Sequence, residues 1–162
     1  MDQMLLNKVD EWLAAHRQEI IDDLIGLVRI PSVSVPDEVV PPFGQACRDA
    51  LAYMYELGKK HGYTSQDYDH YVGSVTFTPG EEKVGIWAHL DVVPVPDPAE
   101  WDYPPFEGTL VENRYLIGRG VQDNKMAAIG VFHVMNCLRD LGVKLRRSYS
   151  LYMGTSEVTG ME

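Results

Sequence analysis

Val84-Gly85-Ile86-Trp87-Ala88 is an apolar run bounded by Pro79-Gly80 on one side and Val92-Val93-Pro94 on the other. A run of that length between turn residues reads as a strand over residues 83–90, of the kind covered on both faces. A second such strand follows at Tyr149–Met153. Elsewhere the period is helical. Leu5, Val9, Trp12, Leu13, Ile20, Leu24, Leu27 and Val28 predict a helix over 4–29, closed by Pro31. Ala46, Cys47, Ala50, Leu51, Met54 and Leu57 predict another over 44–60, stopped by Gly62, and a third spans 124–141 up to Gly142. Residues 63–78 read as strand, turn at Gly73, strand, with Val75 and Phe77 on one face; Thr109–Ile117 reads as a hairpin around Asn113. The proline-rich stretches 31–42 and 94–108 are loops. Strands alternating with covering helices imply an α/β fold: a mixed sheet covered by helices, in one domain without repeats or linker.

With 14 Lys and Arg against 24 Asp and Glu, the net charge is -10. That acidity argues against nucleic acid or an anionic membrane as partner. The first ten residues lack the basic-then-apolar pattern of a signal peptide, and no apolar stretch reaches the roughly 20 residues needed to span a bilayer. Cys47 and Cys137, neither in a Cys-x-x-Cys spacing, read as buried reduced thiols, which favours the cytoplasm; a disulfide between them is the alternative. The chain stops at Gly160-Met161-Glu162, just past a strand, and so reads as a fragment.

Three places in this framework carry candidate chemistry. His89-Leu90-Asp91 sits where the first apolar strand ends. A histidine with a carboxylate two residues on, at a strand exit, suits a metal ligand whose ring is oriented by a neighbouring group; the plain alternative is a local hydrogen bond and a turn. Asp123 lies in Gly118-Arg119-Gly120-Val121-Gln122-Asp123, a loop that runs into a helix, where an N-cap is the plain alternative. Gly118-x-Gly120 does not make a dinucleotide loop, because the third glycine and the later acid are missing. Glu157 follows the second apolar strand through Gly154-Thr155-Ser156. In open α/β sheets ligands gather beyond the carboxyl ends of strands, and all three acids and the histidine come from such exits or the helix starts beside them.

Taken in order, Trp87-Ala88-His89-Leu90-Asp91-Val92-Val93-Pro94, Trp101 with Pro105-Phe106, Gly118-Arg119-Gly120 through Asp123 and Lys125, and Gly154-Thr155-Ser156-Glu157 resemble the co-catalytic zinc peptidases: aminoacylases, glutamate carboxypeptidases and PepV-type bacterial dipeptidases. Pro42-Phe43-Gly44 and the general run of the first 80 residues look most like the PepV-type dipeptidases. The resemblance implies that His89 binds one zinc ion, that Asp91 hydrogen-bonds and orients that histidine, and that Asp123 bridges two zinc ions. It also implies a cis bond between Asp123 and Asn124, and Glu157 as the general base for a metal-activated water. The substrate would be a small peptide, a dipeptide or an N-acyl amino acid.

Three positions depart from the family pattern. Val158 stands where a second carboxylate would bind the second zinc, Asn124 replaces a usual aspartate, and Met126 replaces a glycine. The resemblance also implies that residues 1–162 are the N-terminal portion of one catalytic domain, without its C-terminal part and without the lid or dimerisation domain. With His89 and Asp123 as its ligands, this chain by itself is expected to hold metal weakly and to turn over little, since zinc takes at least three protein ligands even in catalytic sites. The strand at 149–153, without later neighbours, is expected to leave an apolar edge open. Two rival readings remain: a non-catalytic or degenerate relative that keeps the fold, and an unrelated α/β module with one structural cation.

Overall fold

The computed structural model describes residues 3–160. The terminal Met161-Glu162, on which the reading of the chain's end rests, lies outside the described residues. Helix α1 (Gln3–Val28) ends ahead of Pro31, and α2 (Gln45–Lys60) stops at the left-handed Gly62. Strands β1 (Thr64–Tyr68), β2 (Val72–Thr76) and β3 (Lys83–His89) follow, then the short hairpin β4 (Thr109–Val111) and β5 (Tyr115–Ile117). Helix α3 (Met126–Asp140) and strand β6 (Ser148–Gly154) complete the described chain.

The main sheet runs β1-β2-β6-β3. β1, β2 and β6 are antiparallel neighbours, while β6 and β3 are parallel, so the sheet is mixed. Leu27 and Val28 of α1, Leu51 and Met54 of α2, Ile129 and Phe132 of α3 meet Val75, Leu151 and Met153 of the sheet in one buried cluster. Full burial of each such side chain contributes about 1.5–3 kcal/mol. Phe132 sits among Phe77, Tyr63 and His61, all at steep angles to its ring. Across the helices, His133 Nε2 lies 2.9 Å from Asp23 Oδ2, a buried pair between α3 and α1. No described helix is long and apolar enough to cross a membrane.

Three expectations change. The β1–β2 hairpin turns at Asp69 and His70, both left-handed at φ 53° and 62°, as in tight hairpin turns with two such central residues. Gly73 lies inside β2 instead, because α2 packs there: a Cβ would run into the Tyr55 hydroxyl and Leu51. β3 is covered on one face only. The core cluster occupies its inner side, whereas Trp87 on the outer side is 67% exposed and stacks on Tyr152 with ring centroids 4.8 Å apart. Finally, β6 inserts between β2 and β3, so the sheet's edges are β1 and β3 and not the 149–153 strand. Cys47 and Cys137 are both buried and free.

Candidate functional site

Parallel pairing of β3 with β6 sets the site. Its register places His89 opposite Gly154, so the two strands end side by side and their exits face the same way. Leu90 N–H then donates to Gly154 O (2.9 Å), and Ser32 Oγ donates to Leu90 O (2.6 Å). Val92 N–H donates to Ser32 O at 3.0 Å. The His89–Val92 segment is thus held between the end of β6 and the loop after α1. On the other exit, Thr155 Oγ1 donates to His70 O and its N–H to Tyr71 O, which ties the Glu157 loop to the β1–β2 turn.

Asp123 arrives by a different route. The left-handed Gly120 opens a five-residue wide turn, Val121–Lys125, before α3, and Asp123 within it is extended at φ −125° and ψ 91°. Its bond to Asn124 is cis, as the resemblance implies. Asp123 does not cap the helix, so the plain alternative fails; its exposed carboxylate turns back to β3.

Around His89 the three other expected residues gather. Nε2 lies 3.0 Å from Asp123 Oδ1 and 3.6 Å from Glu157 Oε2, while Nδ1 is 3.0 Å from the main-chain oxygen of Asp91. That carbonyl can only accept, so Nδ1 carries a proton. In the neutral ring Nε2 is then a bare lone pair facing two carboxylates. A ring nitrogen with carboxylate oxygens at 3.0 Å and 3.6 Å is an electron-rich place that suits a cation. The expected bond from the Asp91 carboxylate to His89 is not formed. Asp91 is fully buried with Oδ1 at 3.4 Å from Nδ1, and its Oδ2 accepts the Val158 N–H at 3.0 Å. The main chain of Asp91 orients the imidazole, and its side chain anchors the Glu157-Val158 turn.

Sequence reasoning assigned no role to Lys125, which is fully buried beside this cluster. Its ammonium donates to Leu27 O (3.0 Å) and Ile30 O (2.6 Å), fastening the end of α1 to the start of α3. Burial pulls the Lys125 pKa down to about 8, against the opposing pull of Cys47 and Asp91. Burial likewise pushes the Cys47 thiol up to about 12. The available signal for Lys125 was a cation directly before the apolar first turns of α3.

A divalent metal fits part of this arrangement. An imidazole nitrogen and a carboxylate oxygen 3.0 Å apart suit two donors of one zinc ion with bonds of about 2.0–2.2 Å. Among the described residues, however, no group of three or more His, Cys, Asp or Glu side chains is placed to hold a metal ion. The Val158 side chain has no atom that could bind a metal, and its main-chain N–H donates to Asp91 Oδ2. His89 and Asp123 fit as donors; the set is incomplete.

Beside these residues a cavity of about 320 Å³ is walled by Tyr71, Val72, Trp87 and Ala88, with His89 and Glu157 at its polar side. It is large enough for a small side chain or acyl group.

Residues 85–161 match the family described as peptidase family M20/M25/M40. Over 149 residues the chain is 34% identical to a Staphylococcus epidermidis protein named "Putative dipeptidase", covering 91% of this chain and 31% of that protein. A similarly named Staphylococcus aureus protein is 35% identical over the same shares. Among solved structures, human carnosine dipeptidase 1 superposes with a TM-score of 0.81 at 24% identity, over 96% of this chain and 35% of that one. An M20 family metallo-carboxypeptidase from Sulfolobus solfataricus gives 0.71 at 25% identity, over 86% and 31%. The chain spans about a third of the length of the curated relatives it matches. Fold, ordered motifs and sequence similarity agree: this chain belongs to peptidase family M20/M25/M40.

Proposed function

We propose that residues 1–162 are the N-terminal portion of a single catalytic α/β domain that hydrolyses the amide bond of dipeptides or small N-acyl amino acids in the cytoplasm, with zinc as its metal. The observation that carries this is the meeting of His89 Nε2 with Asp123 Oδ1 and Glu157 Oε2 at one strand-exit cluster. Bound zinc would polarise the scissile carbonyl and acidify the attacking water. His89 and Asp123 would hold it. Asp91 keeps the imidazole turned through its carbonyl and fixes the turn that carries Glu157. Glu157, exposed at the cavity side, accepts the proton of the water at its carboxylate and hands it to the departing amine, a role typically worth about 10²–10⁴ in rate.

Val158 favours a second reading, a degenerate relative that keeps the fold and at most weak metal or peptide binding. A fusion of residues 1–162 to the matching remainder of the Staphylococcus epidermidis relative separates the two. The hydrolytic reading expects zinc-dependent dipeptide cleavage, raised by Val158→Glu and lost in Glu157→Gln. A folded fusion that stays inactive even with Val158→Glu would favour the degenerate relative.

A further inference from the structure

Among the described residues no hydrogen bond reaches the Glu157 carboxylate, whose one ionic neighbour is His89 Nε2 at 3.6 Å. Its place in the site therefore depends on how its main chain is held. Downstream, the Val158 N–H is anchored on Asp91 Oδ2. Upstream, the anchor is Thr155, which is fully buried. The Thr155 hydroxyl lies 2.9 Å from His70 O and 3.0 Å from Tyr71 O, and its N–H donates to Tyr71 O at 3.2 Å. All three contacts end at the β1–β2 turn, so that turn stands behind the loop of the general base.

The turn is braced in its own right. β1 is an edge strand whose five residues are all exposed, so burial of its own side chains does not fasten it. Asp67 does: Oδ1 accepts the His70 N–H at 2.8 Å, and Oδ2 lies 3.0 Å from both His70 Nδ1 and the Tyr55 hydroxyl. One carboxylate accepting from three donors holds the left-handed turn at Asp69 and His70, a conformation that residues other than glycine adopt at some cost. Tyr55 reaches Asp67 from α2 by passing Gly73, where a Cβ would collide with its hydroxyl. Tyr71, directly after the turn, walls the cavity beside Glu157 and sets its ring edge-on to the buried Phe43 at 5.4 Å.

We propose that Asp67 and Thr155 are positioning residues for Glu157: Asp67 sets the hairpin turn, and Thr155 passes its place on to the loop that carries the base. Each acts through the main chain and supplies no atom to the reaction. Misplacing a reacting group by about 1 Å can cost about a hundredfold in rate, so a brace of this kind matters to chemistry before it matters to stability. This deepens the peptidase reading and rests on it for the role of Glu157; the bracing itself needs neither metal nor turnover.

The test uses the 162-residue chain, labelled with nitrogen-15, and the same substitutions in the fusion protein. Amide hydrogen exchange is followed at Val158, whose N–H Asp91 holds, and at Leu151, in the middle of β6 between two partner strands. Thr155→Val keeps the branched shape and removes the hydroxyl, Thr155→Ser keeps the hydroxyl, and Asp67→Ala frees the turn from the exposed edge of the sheet. Thr155→Val and Asp67→Ala should each speed exchange at Val158 about tenfold or more while Leu151 stays as in the wild type, and Thr155→Ser should behave as the wild type. In the fusion protein the first two should lower kcat about tenfold or more at nearly constant KM, and Thr155→Ser should restore it. Exchange that rises equally at Val158 and Leu151 would reduce the bonds to general stability and overturn the assignment, as would Val158 exchange that stays at the wild-type rate. Should Thr155→Val fail to fold, Asp67→Ala decides by the same readouts. A local rise at Val158 in a chain whose fusion hydrolyses nothing would leave the brace standing and remove the peptidase reading. Hydrolysis with a kcat indifferent to both changes would do the reverse.

Discussion

Lys125 gives the sharpest quantitative prediction, because a fully buried ammonium makes stability depend on pH with a known sign. The group titrates at about 8 when folded, against 10.5 in the ordinary exposed state. Between those values the unfolded chain binds the proton that the folded chain has released, so stability rises with pH across that window. Below it both states are protonated and the folded chain carries the full penalty, about 3 kcal/mol at 1.36 kcal/mol per unit. The perturbation is Lys125→Met, which keeps the bulk and removes the charge. It also leaves the Leu27 and Ile30 carbonyls without their donor, at a cost of about 1–3 kcal/mol each that does not vary with pH. Only the pH-dependent part is diagnostic. Urea unfolding is measured in a Cys47→Ala background, since the buried thiol, raised to about 12, titrates with the opposite sign as pH climbs. From about pH 7.5 to about pH 9.5 the stability of the lysine form should gain about 2 kcal/mol on that of the methionine form. A difference that stays flat across the range would refute the account of Lys125 as a buried cation pinning α1 to the site.

Replacing Val158 with Glu should raise divalent-metal affinity about tenfold or more, as one added ligand would; isothermal titration with zinc checks this, and no gain would remove the explanation of position 158. His133→Leu should destabilise the chain by about 3 kcal/mol or more, because Asp23 is left as a buried charge without its partner; a loss under about 1 kcal/mol in thermal or urea unfolding would show that the pair is not integral to the α1–α3 contact. The open edge of β3 and the exposed Trp87 and Tyr152 stack should drive self-association of the 162-residue chain. Sedimentation should show Trp87→Lys shifting it toward monomer, and a wild-type monomer at all concentrations would contradict this.

The fold was legible where periodicity is strong. The three helices and the apolar strands at 83–90 and 149–153 stand within a few residues of their predicted bounds, since each buries a continuous apolar stripe. Strand order was not legible, because insertion of β6 between β2 and β3 depends on pairing between segments far apart in the chain. Gly73 misled for a local reason: glycine suggests a turn, but here it admits Tyr55 and Leu51, while Asp69 and His70 supply the turn. His89, Asp91, Asp123 and Glu157 could be picked out as residue types at strand exits, and they do come together. Which atoms meet could not be read from them. Asp91 orients the ring through its carbonyl and gives its carboxylate to a main-chain N–H, a division that side-chain identity does not encode. Lys125 was visible only as a letter within a motif, because its importance lies in its burial and in the two carbonyls its ammonium holds.

Everything functional rests on His89 and Asp123 acting as donors to one metal ion. Zinc binding to the 162-residue chain, compared by titration with His89→Ala and Asp123→Asn, examines that directly. The account predicts weak, saturable binding of one ion per chain, abolished by the first change and weakened about tenfold or more by the second. Zinc binding that is unaffected by both substitutions would contradict it.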